Sequence, residues 1–319
     1  MKKTAVLCAG VILAASMASP AGVFAESAEY NPELYFKAQS AEGADAVSDG
    51  LVIISPDKIR EGDITLNIGV YINDESMKVD AVSAKWRSES GYITLDNLLD
   101  PSVSTGTTKE YTTPGGETFT TDLTPNCYST IRNGALKVPT PDMSVHPEIN
   151  SMYFTYASVT SPYKWLGTAS DDYALTSFDA VISSDIPEGV YEIVFATRDN
   201  TEGKTDSYSH GHIYYDIDNS RDFYPETSDL MIAVGDFGLG DVNLDGIVDA
   251  RDASLILTEY AVTASGGVPS FDSLEKYVGN VNKDTVIDSR DASVVLTYYA
   301  YTATGGKESF EEFLKNNEK

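Results

Sequence analysis

The stretch "GDVNLDGIVDARDASLILTEYA", residues 240–261, is polar for a dozen positions and then becomes apolar at helical spacing. Counted from Asp241, oxygen-bearing side chains stand at positions 1, 3, 5, 9 and 12, position 6 is glycine, and position 7 offers a main-chain carbonyl. The ligands would be Asp241, Asn243, Asp245, Ile247, Asp249 and Asp252. This spacing predicts a calcium-binding loop that leads into a helix. The alternative is a solvated acidic loop that only caps the helix.

The same pattern occurs a second time. Residues 240–276 align without a gap with residues 279–315, and 20 of the 37 aligned positions are identical. The second loop would use Asn280, Asn282, Asp284, the carbonyl of Val286, Asp288 and Asp291. It has the neutral Asn280 in place of a carboxylate and Thr285 in place of glycine. A β-branched residue at a left-handed turn costs on the order of 1–3 kcal/mol, so we expect two calcium sites, the second weaker.

A helix should follow each loop, and its apolar residues should pack the two copies together. We expect the packing face to consist of Leu255, Ile256 and Tyr260 in the first copy and Val294, Val295 and Tyr299 in the second. Paired glycines at 266–267 and 305–306 should end the helices, after which Phe271 and Phe310 fold back onto the core. The glycines and strand-like residues of "LMIAVGDFGLG" (230–240) argue against a helix before the first loop. We therefore expect a small two-helix module within residues 240–319.

The chain before this module reads as short β-strands. Residues 64–72 alternate apolar and polar side chains, residues 81–88 do so more loosely, and residues 190–197 are rich in β-branched and aromatic side chains. Between residues 100 and 147 the sequence is polar and should form loops and a hairpin. Turn-forming clusters separate many short strands, which favours an antiparallel sandwich over residues 26–235.

The first 25 residues have the features of a secretory signal. Lys2 and Lys3 precede an apolar run, and Ala25 ends a segment suited to signal peptidase. We expect a secreted, extracellular protein with no membrane anchor of its own. Only Cys127 would remain after cleavage, so an internal disulfide is excluded. The net charge of −27 argues against nucleic-acid and anionic membrane partners.

The paired segments "DVNLDGIVDARDAS" (241–254) and "NVNKDTVIDSRDAS" (280–293), with the "YA-x-TA-x-GG" and "SF" patterns that follow them, resemble the dockerin modules of rumen and gut fibre-degrading anaerobes. The resemblance covers about residues 240–315. It implies calcium-dependent docking onto a cohesin domain of a scaffold protein, within or alongside a cellulosome at the cell surface. It also implies partner contacts at loop positions 10 and 11, which are Ala250, Arg251, Ser289 and Arg290. An alternative role for the two arginines is capping or pairing with nearby carboxylates.

Segments of the N-terminal part are similar to a cohesin, the nine-stranded jelly-roll sandwich that receives dockerins. They are residues 59–74, 79–98, 174–195 and 228–236. The polar stretch from about 100 to 150 has no counterpart in that pattern. The resemblance implies a non-catalytic adaptor scaffoldin that binds scaffold cohesins through its dockerin and the dockerins of enzymes through its sandwich.

Two other functions stay open for the sandwich. As a carbohydrate-binding module it would need exposed aromatic platforms, and the candidates are Trp86, Trp165 and the tyrosines of residues 161–165 and 212–216. As a polysaccharide-degrading enzyme it would need a defined pair of acids or a metal site. His210 and His212, with Asp216 and Asp218 nearby, could form such a site. His146 completes the three histidines, and no nucleophile motif accompanies them.

Overall fold

The computed structural model describes residues 33–48, 50–73, 81–99, 107–112, 118–124, 127–132, 142–146, 150–157, 174–196, 213–216, 221–223, 226–284 and 286–317. The predicted signal peptide lies outside these residues, as do Trp165, Thr285, His210 and His212.

Strands occupy the part of the described chain that precedes the duplicated loops. In chain order they are β1 Glu33–Ser40, β2 Ala46–Ser48, β3 Leu51–Ile54, β4 Ile64–Asn73, β5 Ala81–Ser88, β6 Ile93–Asp96, β7 Thr107–Thr112, β8 Thr118–Thr124, β9 Cys127–Arg132, β10 Asp142–His146, β11 Ser151–Ala157, β12 Thr176–Ile182, β13 Gly189–Phe195, β14 Ile213–Asp216, β15 Arg221–Phe223, β16 Glu226–Ser228 and β17 Leu230–Val234. The predicted strands at 64–72, 81–88 and 190–197 are confirmed as β4, β5 and β13.

These strands form two large sheets and one small one. The first has five strands in the order β16-β1-β4-β12-β6, and the second has nine, β10-β11-β5-β13-β17-β3-β2 with β14 and β15 attached through β5. Pairing is antiparallel except for β1 with β16 and β17 with β3. The expected total of nine strands is therefore wrong, because short strands extend both sheets. The polar stretch after residue 100 contains a separate three-stranded sheet, β7-β8-β9.

An aromatic cluster shows that the two large sheets pack face to face. Phe36 and Phe178 belong to the five-stranded sheet, and Trp86 and Phe195 belong to the nine-stranded sheet. The rings of Phe36 and Phe195 stack with centroids 4.0 Å apart, and those of Trp86 and Phe178 lie 5.3 Å apart. All four side chains are fully buried. The prediction of a mostly antiparallel β-sandwich is confirmed.

Five described helices complete the fold: α1 Pro56–Arg60, α2 Ala250–Ala264, α3 Ser273–Gly279, α4 Ser289–Ala303 and α5 Phe310–Asn317. The last four form the C-terminal helical module, where two helices were expected. Capping boxes start the two additional helices: Asp272 and Glu275 exchange side-chain to backbone hydrogen bonds at α3, and Ser309 and Glu312 do so at α5. None of the described helices is long and apolar enough to cross a membrane.

The packing face of the module differs from the expected one. Ile256 and Val295 are fully buried, whereas Leu255, Tyr260 and Tyr299 are exposed. The buried stripes begin at the last loop ligand and continue at helical spacing through Asp252, Ala253, Ile256 and Glu259 in α2 and through Asp291, Ala292 and Val295 in α4. Phe271 and Phe310 pack into the same core, as predicted.

Replacing Phe36 with alanine should lower the free energy of unfolding by about 3–5 kcal/mol, because it removes the ring that touches aromatic neighbours from both sheets. Urea unfolding followed by near-ultraviolet circular dichroism measures the loss. Tyr92→Ala is the control, since Tyr92 is largely exposed, and it should change stability by less than about 0.5 kcal/mol. Equal losses in the two variants would contradict the proposed sheet packing.

Candidate calcium-binding loops

The first loop begins at a backbone position fixed by close packing. Gly240 donates its N–H to the carbonyl of Val278 at 2.7 Å, and its φ is +85°. A Cβ at this position would lie 2.6 Å from Cε1 of Phe310. Glycine is therefore required here for both conformation and space, and the contact sets the direction in which Asp241 enters the loop.

Oxygen atoms of the first loop order its backbone. Asp241 accepts hydrogen bonds from the N–H groups of Asp245 at 3.1 Å and Gly246 at 2.8 Å. Asn243 Oδ1 accepts from Asp245 N at 2.9 Å, and Asp245 Oδ1 accepts from Ile247 N at 3.0 Å. Gly246 has a φ of +81°, which is the left-handed conformation that the calcium-loop pattern assigns to position 6. The predicted ligands at positions 1, 3 and 5 thus lie along a single tight turn.

The carboxylate of Asp252 joins the two ends of the loop. It accepts hydrogen bonds from the backbone N–H groups of Val242 at 2.9 Å, Asn243 at 3.1 Å and Asp249 at 2.8 Å. Asp249 caps α2, and Asp252 completes the capping box. Asp252 is fully buried, and this burial raises the pKa of its carboxyl above the ordinary value, although the hydrogen bonds oppose the rise. A buried carboxylate of this kind gains most from a cation placed beside it.

The second loop repeats this arrangement. Asp291 is fully buried and accepts from Asn282 N at 3.2 Å and Asp288 N at 3.0 Å. Asn282 Oδ1 accepts from Asp284 N at 2.8 Å, and Asp284 Oδ1 accepts from Val286 N at 2.8 Å. The pKa of Asp291 is raised, primarily by burial. All the predicted ligands of the second loop except Asn280 therefore repeat backbone bonds of their counterparts in the first loop.

Asn280, at position 1 of the second loop, differs from Asp241 in the hydrogen bonds that its side chain makes. Its Nδ2 donates to the carbonyl of Asp284 at 2.5 Å. Its Oδ1 is buried, and no donor among the described residues reaches it. An unsatisfied buried oxygen is costly, and this one stands at the first ligand position of the predicted calcium loop.

Each loop is crossed by an arginine from position 11. Arg251 donates to Asp245 and Asp249, both at 2.9 Å, and Arg290 donates to Asp284 and Asp288, both at 2.8 Å. Hydrogen bonds from these arginines hold the pKa values of Asp249 and Asp288 below their ordinary range. The two arginines therefore pair with loop carboxylates, which is the alternative role that the sequence left open for them. Ala250 and Ser289 are the first residues of α2 and α4.

The donor set fits calcium, although the ligands are not gathered around one point. All the predicted ligands are carboxylate, carboxamide or carbonyl oxygens, which are the donors that calcium prefers. Within the described ranges, no three His, Cys, Asp or Glu side chains are already clustered so as to hold a metal. The reason is visible in the first loop, where Asp245 and Asp249 face Arg251 while Asp252 faces backbone N–H groups. A cation would have to share the first two carboxylates with the arginine.

No family model matches the chain, and no curated protein matches it at a significant level. Solved structures that it does match include cohesin modules. A cohesin of R. flavefaciens, solved in complex with a group 1 dockerin, is 10% identical over 66% of this chain and 99% of its own, with a TM-score of 0.36. A type I cohesin–dockerin complex from Clostridium thermocellum gives 11% identity over 64% and 99%, with a TM-score of 0.36. A cohesin module of a Clostridium perfringens glycoside hydrolase gives 7% identity over 65% and 98%, with a TM-score of 0.33. These scores are too low to define the fold, which follows instead from the strand pairing and the aromatic core.

The structure describes only some residues of the other candidate sites. Trp86 is fully buried in the sandwich, so it cannot serve as an exposed platform for sugars. The histidine pair at 210 and 212 lies outside the described residues, as does Asp218. Asp216 ends β14, His146 ends β10, and Cys127 begins β9.

Two residues that the sequence did not single out anchor the closing turns of the repeats. The buried carboxylate of Glu259 accepts hydrogen bonds from Ser270 N at 2.9 Å and from Ser270 Oγ at 2.7 Å. At the equivalent position of the second copy, the hydroxyl of Tyr298 donates to the carbonyl of Glu308 at 3.1 Å. The sequence signal that could have identified Glu259 is its position, because it is an acidic residue within the apolar stripe of α2.

Gly246→Ala should destabilise the folded first loop by about 1–2 kcal/mol, because alanine is strained at a φ of +81°. The helical circular dichroism signal during urea unfolding measures the loss. Gly238→Ala is the matched control, because an added Cβ meets no atom within 4 Å at either position and only Gly246 has a left-handed φ. An equal loss in both variants would show that the backbone conformation of Gly246 is not the cause.

Glu259→Gln should lower the free energy of unfolding at pH 7 by about 1 kcal/mol, because a charge-assisted hydrogen bond becomes a neutral one. Burial raises the pKa of Glu259, but the bonds from Ser270 outweigh it and leave the pKa below 4.5. The carboxylate therefore stabilises the fold above that pH, and its contribution is lost as the pH falls through the folded-state pKa. The difference in the free energy of unfolding between wild type and Glu259→Gln should therefore disappear in acid.

The control is Tyr298→Phe, at the equivalent position of the second copy. Its loss of stability should be constant from about pH 3 to 6, since tyrosine does not titrate there. A pH-independent loss of stability in Glu259→Gln would contradict the role assigned to the carboxylate.

Proposed function

We propose that the chain is a secreted, non-catalytic interaction protein whose helical module binds two calcium ions. Asp241, Asn243, Asp245, the Ile247 carbonyl, Asp249 and Asp252 would hold the first ion. Asn280, Asn282, Asp284, the Val286 carbonyl, Asp288 and Asp291 would hold the second, more weakly because Asn280 is neutral. Support comes from the all-oxygen donor set, the two buried carboxylates and the unsatisfied Oδ1 of Asn280. Calcium supplies positive charge where the fold buries Asp252 and Asp291.

The module would dock onto a cohesin domain of a scaffold protein through the outer faces of α2 and α4. The observation that carries this proposal is a duplicated apolar patch. Leu257 and Tyr260 in the first copy, and Leu296 and Tyr299 at the equivalent positions of the second, are each between 39% and 45% exposed. Exposed leucine and tyrosine side chains grouped on a helix are typical of a protein-binding surface. Arg251 and Arg290 lie one to three helical turns before these residues and are also exposed.

The sandwich would serve as a cohesin-like adaptor that receives the dockerins of enzymes, which would place the protein within or alongside a cellulosome. A carbohydrate-binding role is the second candidate, and it would depend on aromatic residues other than the buried Trp86. In either case the sandwich would bind a partner rather than catalyse a reaction, and the protein would reach a cell surface through its dockerin-like module.

Chelation tests the proposal on the chain from residue 26 onward. Excess EGTA should remove most of the helical circular dichroism signal of the module and abolish binding to a panel of isolated cohesin domains from rumen and gut fibre-degrading anaerobes, because the cation cage and the small helical core form together. Calcium should restore both, whereas magnesium alone should restore them poorly.

The control for docking is the variant in which Leu257 and Leu296 are both replaced by aspartate. It should keep its calcium-dependent helical signal and lose cohesin binding, because both side chains are exposed. Helicity and cohesin binding that survive EGTA would contradict the calcium proposal. Calcium-dependent folding without binding to any cohesin would contradict docking, and the same chain should then be tested on insoluble polysaccharides.

A further inference from the structure

The helical module covers the outer face of the nine-stranded sheet at β3 and β17. All four residues of β3 are buried, although a strand whose outer side faces solvent buries only alternate residues. Leu51 and Ile53 of β3 and Ala233 of β17 belong to the same apolar cluster as Ile256, Val295, Leu274 and Val278 of the module. Helix α3 lies against β17. We call this contact surface the joint.

A backbone hydrogen bond and a close approach at Gly50 accompany the apolar contact at the joint. The hydrogen bond from Gly240 N to the carbonyl of Val278 ties the connection that leaves β17 to the end of α3. An ideal Cβ on Gly50, which lies between β2 and β3, would stand 3.4 Å from Ser273 Oγ at the start of α3. A cleft beside these contacts is lined from the sandwich by Ser48, Gly50 and Ser228 and from the module by Ser273, Lys276 and Asn280.

Both calcium loops begin at the joint. Asp241 directly follows Gly240, whose N–H and Cα are held by Val278 and Phe310. Asn280 ends α3 as its C-cap, lines the joint cleft, and carries the unsatisfied Oδ1. The first ligand of the first loop thus directly follows the residue that ties the connection from β17 to α3, and the first ligand of the second loop lines the joint cleft itself.

We propose, on the basis of the calcium binding proposed above, that cation binding at the two loops fixes the helical module against β3 and β17. Ordering Asp241 would hold the connection from β17, and ordering Asn280 would hold the end of α3. The cation would therefore protect strands of the sandwich that contain no calcium ligand. It would also set the direction in which the docking patch of the module and the partner surface of the sandwich face.

Hydrogen exchange with mass spectrometry on the chain from residue 26 onward tests this inference, with saturating calcium compared with excess EGTA. In peptides that cover residues 51–54 and 230–234, calcium should slow exchange at least about tenfold, since a ligand present far above its Kd suppresses every opening that releases it. Residues 64–72 of β4 lie in the other sheet, and their exchange rates should not change with calcium.

Two variants test whether the effect passes through the joint. Leu51→Asn should remove the calcium effect on β3 and β17 but keep the protection of residues 241–252. Val47→Asn, at an exposed position of β2, should behave as wild type.

The outcomes separate the inference from the proposal on which it rests. Calcium protection of residues 241–252 and 280–291 without protection of β3 and β17 would overturn the coupling and leave calcium binding intact. No protection of the loops would overturn both. If Leu51→Asn does not fold, Leu274→Ala takes its place on the module side of the joint, and persistent protection of β3 and β17 in that variant would equally overturn the coupling.

Discussion

The buried carboxylates of Asp252 and Asp291 are the constraint on which the helical module depends. Each lies in the first turn of its helix, accepts backbone N–H groups from the loop that precedes the helix, and has no exposed surface. Loop and helix therefore cannot be ordered separately. The helices are short, and their apolar stripes are too narrow to make them stable alone, so the module relies on these carboxylates and on its contact with the sandwich.

The sandwich is held by a different kind of contact. Its sheets meet through the aromatic rings of Phe36, Phe178, Trp86 and Phe195, which fill the space between them. The Nε1–H of Trp86 is buried in this cluster, and no acceptor among the described residues reaches it. On the opposite face of β3, Leu51 and Ile53 join the apolar core of the module. One short strand thus contributes to two cores, which explains why its four consecutive residues are all apolar and all buried.

Local patterns predicted the local features well. Alternation identified β4 and β5, and the duplicated spacing identified the loops and the helices that follow them. The packing face of α2 was wrong at Leu255 and Tyr260, because the position of a narrow apolar stripe depends on where the buried Asp252 fixes the helix. The capping boxes at Asp272 and Ser309, with apolar residues at helical spacing after each, were the signals for α3 and α5, but each helix is only seven or eight residues long. The joint could not be predicted, since "LVII" reads the same whether one core or two bury it.

Different hydrogen-bonding groups hold the closing turns of the two repeats. A carboxylate at position 259 receives hydrogen bonds, whereas a phenol at position 298 donates one. After the duplication the copies therefore ceased to be interchangeable. A chain with its two helices exchanged would set a tyrosine against the donor groups of Ser270 and a glutamate against a carbonyl oxygen, so the two helices are not equivalent even though the loops before them remain nearly alike.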